Sequence, residues 1–143
     1  MSPHPMPPRF TKVIILLMFL FLLPRCAEKT SDEYVKEGIT QTENQHYDEA
    51  QEAFLNAIRK NPKNAEAHYS LGGIYNYLNE YEKAAESFRT AIKLDPVHFN
   101  AHYSLGFTYE HLNRKEDAEE EFQKYRILKE QFEVLLKMEQ EKH

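Results

Sequence analysis

The stretch AEAHYSLGGIYNYLNEYEKAAESFRTAIKLDPVH, Ala65 to His98, decides the fold, because moving it thirty-four places along the chain lays it on a second copy of itself. His68 falls on His102, Tyr69 on Tyr103, Leu71 on Leu105, Gly72 on Gly106 and Tyr75 on Tyr109. Moved the other way, Gly38 lies under Gly72, Ala50 under Ala84, Phe54 under Phe88, Ala57 under Ala91 and Pro62 under Pro96. A fixed period of this length marks a stacked array, in which no unit can bury its apolar faces alone. The copies occupy residues 31–64, 65–98 and 99–132.

Within the middle copy, Leu71, Ile74, Tyr75 and Leu78 recur at helical spacing from about Ala65 to Leu78. Asn79 and Glu80 interrupt the pattern. A second helix then carries Ala84, Phe88, Ala91, Ile92 and Leu94 and stops at Asp95-Pro96, since proline disfavours helical geometry at the residue before it. Each copy is a helical hairpin. Gly38, Gly72 and Gly106 sit at the same point of the first helix, where a glycine costs about 1 kcal/mol against alanine. Close helix approach would offset that cost, with Gly72 facing Ala84 while Phe88 and Tyr75 fill the wider space beside them.

The pattern Leu71-Gly72, Tyr75, Ala84, Phe88, Ala91 and Pro96 in a unit of this length resembles the tetratricopeptide repeat (TPR). The resemblance implies an all-α fold: a TPR-type α-solenoid of three helical hairpins, covering residues 31–132. The middle copy departs only at His68, where the family commonly has tryptophan. Copy three has Tyr125 for a small residue and Glu130 for the proline; copy one has Glu37 and Gln41 where leucine and tyrosine are expected.

A net charge of -5, with 41% hydrophobic and 29% charged residues, suits a small helical domain and excludes a general nucleic-acid binder, which needs a basic stripe. The sequence holds no HExxH, no glycine-rich phosphate loop and no GxSxG. His98 and His102 lie four apart, but no Cys, Asp or Glu completes a zinc-like set around them. His68 and His102 share one place in successive copies, which points to packing. Neither enzymatic activity nor a cofactor or metal is expected.

The N-terminal material differs. Residues 1–26 combine prolines, Arg9 and Lys12 with the unbroken apolar run Val13 to Leu23, then Pro24-Arg25-Cys26. At about 1.5 Å per residue the run spans roughly half of a bilayer core of about 30 Å, as the centre of an export signal does. Cys26, the only cysteine, resembles a bacterial lipoprotein acceptor, with Leu23 matching that pattern and Pro24 and Arg25 departing from it. Lipidation of Cys26, an uncleaved anchor and a cleaved soluble product are the alternatives. Either of the first two tethers the protein to a membrane on its extracytoplasmic side, periplasmic in a bacterium. Residues 27–32 suit a short tether, and Ser31 or Asp32 can cap the first helix.

At the other end Phe122, Tyr125, Leu128, Phe132 and Leu135 continue the helical spacing to about Met138. The second helix of copy three therefore extends through residues 133–143. Two readings follow: an end cap over the last hairpin, or an overhang whose Phe132, Leu135 and Leu136 pair with a partner helix or with a second copy as a homodimer.

By the family resemblance, first helices line a concave groove whose inward positions carry Val35 and Ile39, then Tyr69, Gly73, Asn76 and Tyr77, then Asn100, Tyr103, Phe107, Glu110 and His111. Tyrosine offers a rigid surface with a polar tip, a combination enriched at binding hot spots. The alternative is that some of these tyrosines pack between repeats or are covered by the chain's own ends. TPR domains that clamp a carboxylate tail place lysine, arginine and asparagine where this chain has Val35, Ile39, Ser70, Asn100 and Ser104. The expected partner is a protein or peptide segment with apolar anchors.

Overall fold

A computed structural model describes residues 28–142. Among them are six helices: α1 (Ser31–Glu43), α2 (Tyr47–Lys60), α3 (Ala65–Tyr77), α4 (Tyr81–Leu94), α5 (Phe99–His111) and α6 (Lys115–Gln140). They pack as three antiparallel hairpins, α1 on α2, α3 on α4 and α5 on α6, with α2 also against α3 and α4 against α5. The expected solenoid is present, and α6 is the extended last helix. No helix among the described residues is long and apolar enough to cross a membrane. The apolar run Val13 to Leu23 and Cys26 lie outside the described residues.

Every hairpin turns in the same way. Gln45, Asn79 and Asn113 have φ of 64°, 59° and 57°, one left-handed residue just past each first helix. The following N–H then reaches back to a carbonyl of the last turn: His46 to Gln41 (2.9 Å), Glu80 to Tyr75 (2.8 Å) and Arg114 to Tyr109 (2.9 Å). These bonds satisfy carbonyls that the helix end would otherwise leave open.

The α1 cap differs from expectation. Thr30 accepts from the Glu33 N–H, and the Glu33 carboxylate accepts from the Thr30 N–H at 2.7 Å, a reciprocal box that satisfies two orphan donors. Ser31 instead is buried and donates its hydroxyl to the Ala57 carbonyl (2.9 Å) on α2.

Across the hairpin, the nearest neighbour of each recurring glycine is a second-helix ring. A Cβ on Gly72 would lie 2.7 Å from Phe88 Cε1. Gly38 and Gly106 meet Phe54 and Phe122 in the same manner, at 2.5 and 2.7 Å. Each second-helix ring lies against the bare backbone of its own first helix. That contact explains the recurring glycine and the recurring phenylalanine together. Phe54 and Phe88 are each 1% exposed, and burial of such a side chain stabilises by about 1.5–3 kcal/mol.

The core runs through the junctions between hairpins. Leu71 and Ile74 of α3 pack with Val35, Ala50, Phe54 and Ala57 of the first hairpin, while Leu105 and Tyr109 of α5 pack with Ala84, Ala85 and Phe88 of the second. Glu37 and Gln41 occupy the positions of Leu71 and Tyr75 in a hairpin that has no predecessor among the described residues. Glu37 meets Lys29 (2.9 Å) and Gln41 meets His46 (3.0 Å). Polar residues there solvate an end face.

Candidate docking groove on the first helices

Groove positions are fixed by the inter-hairpin contacts. Tyr47, which opens α2, stacks on Tyr77 at the end of α3, with centroids 3.7 Å apart and planes at 27°. One repeat later Tyr81 stacks on His111 at 4.5 Å and 9°. The same pair of positions thus joins successive hairpins twice. Such pairs contribute about 0.5–1.5 kcal/mol beyond burial. Tyr77 nevertheless remains 58% exposed, so one side of its ring is open to a ligand.

Asn76 is half-buried and turned toward the next hairpin. The fully buried Thr108 hydroxyl donates to the Ser104 carbonyl (2.7 Å) and lies 3.0 Å from the Asn76 side-chain oxygen. The contact between Thr108 and Asn76 places α3 against α5 and leaves Asn76 less free to meet a partner. Tyr69 is also engaged. Its ring lies 5.8 Å from Phe88 and 4.6 Å from the imidazole of His98.

His98 caps α5: its Nδ1 accepts from the Ala101 N–H (3.2 Å), leaving Nε2 to face the Glu66 carboxylate at 3.5 Å. The bond to Glu66 raises the His98 pKa above its ordinary value against the opposing effect of burial, and the same bond lowers Glu66. His68 and His102 repeat one contact, each with Nε2 at a proline carbonyl: Pro62 at 3.0 Å and Pro96 at 3.3 Å. Both pin the loop before their helix, the packing role expected of them. His102 adds Glu121 of α6 at 2.6 Å.

Four further expected groove residues are open, as Tyr77 is. Tyr103 is 51% exposed and rests on Phe122 and Tyr125 of α6, with centroids 5.6 and 5.1 Å away. Phe107 is 41% exposed and touches His111 at 4.5 Å. Gly73 is exposed, and a Cβ there would meet nothing within 4 Å. Asn100 is exposed at the start of α5.

Along the helix row that carries Ile39, Gly73 and Phe107, the glycine leaves a notch between two apolar side chains. A cleft of about 390 Å³ opens there, lined by Ile39, Tyr47, Gly73, Ile74 and Tyr77 with Glu43 at its rim. Tyr47 belongs to a second helix and was not among the sequence-expected groove residues. Its recurrence as Tyr81 was the available signal.

A second cleft, of about 510 Å³, lies between the start of α5 and the far end of α6. Val97, Phe99, Leu128, Phe132 and Leu135 line it. Phe99 packs on Tyr125 and Phe132 at 6.2 and 5.5 Å, and beyond Phe132 the residues of α6 are exposed through Gln140. The extension is thus largely open to water, with Leu135 facing the start of α5 across the cleft. Among the described residues, no group of three or more His, Cys, Asp or Glu side chains is placed to hold a metal ion.

Comparison with known proteins agrees with this geometry. Residues 35–80 match a family model described as tetratricopeptide repeat, and residues 72–113 match one described as TPR repeat. A search of curated proteins found no significant match. Among solved structures, a crystal structure of MamA superposes with a TM-score of 0.70 at 27% identity, over 73% of this chain and 61% of that one. A mutant form of MamA gives 0.65 at 27% identity, over 84% of this chain and 90% of that one. The second TPR of Spaghetti (RPAP3), bound to the HSP90 peptide SRMEEVD, gives 0.67 at 21% identity, over 68% and 91%, a likeness of fold alone. The chain spans about 61% of the length of the first MamA structure. Matching models over residues 35–113, the repeated glycine–phenylalanine contact and the three-hairpin stack together make this chain a member of the tetratricopeptide repeat family.

Proposed function

We propose that this protein is a non-enzymatic docking module. It holds an extended or helical segment of another protein against the first helices, through apolar anchors seated beside Gly73. The observation that carries the reading is the open aromatic set Tyr77, Tyr103 and Phe107 beside the notch at Gly73, with Tyr77 stacked on Tyr47 and Tyr103 resting on Phe122. Rigid aromatics lose little entropy on binding, and their partner contacts dominate affinity when they seat in pockets. The groove lacks the basic clamp for a carboxylate tail, so the ligand is selected by shape and apolar content.

The proposal includes the N-terminal segment as a membrane tether on the extracytoplasmic face, with Cys26 as lipid acceptor. Loss of membrane fractionation in Cys26→Ser supports that acceptor; retention refutes it. Docking is tested by a photo-crosslinker at Gly73 in cells, in the wild-type background and in Tyr103→Ala with Phe107→Ala. Adducts that disappear in the double variant support the groove. Adducts that persist unchanged contradict it.

A second reading has its own observation. The apolar residues of α6 beyond Phe132 are exposed, which favours an assembly factor for an envelope complex of pilus or secretion type, acting through self-association of this helix.

A further inference from the structure

The end of α6 carries an apolar pattern of which only one border, Leu128 and Leu135, faces the rest of the described chain, across the cleft at the start of α5. Ile127, Leu128, Gln131, Val134, Leu135 and Met138 follow the spacing i, i+1, i+4, i+7, i+8, i+11, which gathers them on one face of a helix. Ile127, Val134, Leu135 and Met138 are 48, 50, 60 and 50% exposed. The centre of this face, Ile127, Val134 and Met138, is distinct from the face that meets α5, which carries Ala118, Phe122 and Tyr125. A contiguous apolar face open to water marks an interaction surface.

We infer that residues 127–140 pair antiparallel with the same residues of a second copy. In heptad terms Ile127, Gln131, Val134 and Met138 form the seam, Leu128 and Leu135 border one side, and Glu130 and Lys137 border the other. Charge selects the direction. In an antiparallel pair like flanks face each other, so Glu130 meets Lys137 of the second copy and Lys137 meets Glu130 of the second copy. The apolar flanks do the same, with Leu128 beside Leu135 of the second copy. A parallel pair would set the charged flank against the leucine flank and desolvate Glu130 and Lys137 without partners.

The contact is isologous, so it closes at two copies. It also covers the cleft at the start of α5, since Leu128 and Leu135 form that cleft's wall together with Phe99 and Val97. Gln131 is the single polar residue in the seam, a device that fixes register at some cost in stability. The dimer develops the self-association reading and is independent of the groove. Groove variants leave it intact.

The test uses the full chain in detergent with Cys26→Ser as background. Sedimentation over a concentration series is expected to give a dimer that Val134→Glu with Leu135→Glu converts to monomer at unchanged helical circular dichroism. Orientation is read by oxidation: Ile127→Cys mixed with Met138→Cys forms a crosslinked dimer, and Ile127→Cys alone does not. A wild-type chain that stays monomeric, a dimer that survives the double charge change, or self-crosslinking of Ile127→Cys alone overturns the inference.

Discussion

The two internal junctions and the terminal face of α6 use the same helix positions for opposite ends. Where a second helix must receive a following hairpin it presents Tyr47, Gln51 and Ile58, or Tyr81, Ala85 and Ile92. On α6 these positions hold Lys115, Glu119 and Arg126, with Arg126 paired to Glu119 at 2.8 Å. The first face is sealed by stacked rings and a leucine from the next helix; the last is solvated. Three positions therefore distinguish a second helix that receives a following hairpin from the last second helix among the described residues.

The largest test of this contrast removes the ring that each second helix lays on its glycine. Phe88→Ala, deep between two hairpins, is expected to cost about 3–5 kcal/mol in denaturant unfolding. Phe122→Ala, half-buried behind the terminal face, is expected to cost less than half as much. Equal losses would mean that burial at the junction is not what stabilises the middle of the array.

Next in size are the stacks. Tyr47→Ala and Tyr81→Ala are each expected to destabilise by about 1–3 kcal/mol, more than the loss of an isolated surface tyrosine, because each joins two hairpins. Hydrogen exchange should show the loosening in α3 for the first and in α5 for the second. Uniform loosening would contradict a stack that acts locally.

Opening the solvated face should change stability little. Glu119→Ala with Arg126→Ile removes an exposed ion pair worth about 0–1 kcal/mol but restores an apolar docking face. End-to-end association is expected in sedimentation, as no following hairpin is present among the described residues to cover that face. A variant that associates no more than wild type would show that these positions do not terminate the array.

The smallest effect is a pH dependence. Burial raises the Glu121 carboxyl, but bonds from His102 and Lys124 outweigh it and leave the pKa below the ordinary 4.5. Its contribution is therefore present above the unfolded carboxylate value and lost as pH falls through the lowered one. The stability gap between wild type and Glu121→Gln is expected to be open at neutral pH and to close in acid. A gap that widens in acid would reverse the assignment.

Most of this architecture was legible in the residues, because a period is a global signal that survives local lapses. Glu37 and Gln41 depart from the repeat pattern in copy one, and they make polar contacts on a hairpin that has no predecessor among the described residues. What could not be read was which atoms meet. That the Phe88 ring lies on Gly72 depends on the packed pair of helices, and Thr30 caps α1 because Glu33 sits three residues on to complete the box. The groove was legible as a set of positions through family resemblance. That Asn76 and Tyr69 are partly spent on neighbours, while Tyr103, Phe107 and Gly73 stay open, depends on inter-hairpin distances that no single helix encodes.

The central claim, that the open row beside Gly73 grips another polypeptide, is tested most directly by calorimetric affinity. The ligand is the segment crosslinked from that position, titrated into wild type and into Phe107→Ala. A loss of about tenfold or more, equivalent to about 1.4 kcal/mol, is the predicted result. An unchanged dissociation constant, with the fold intact by circular dichroism, would contradict it.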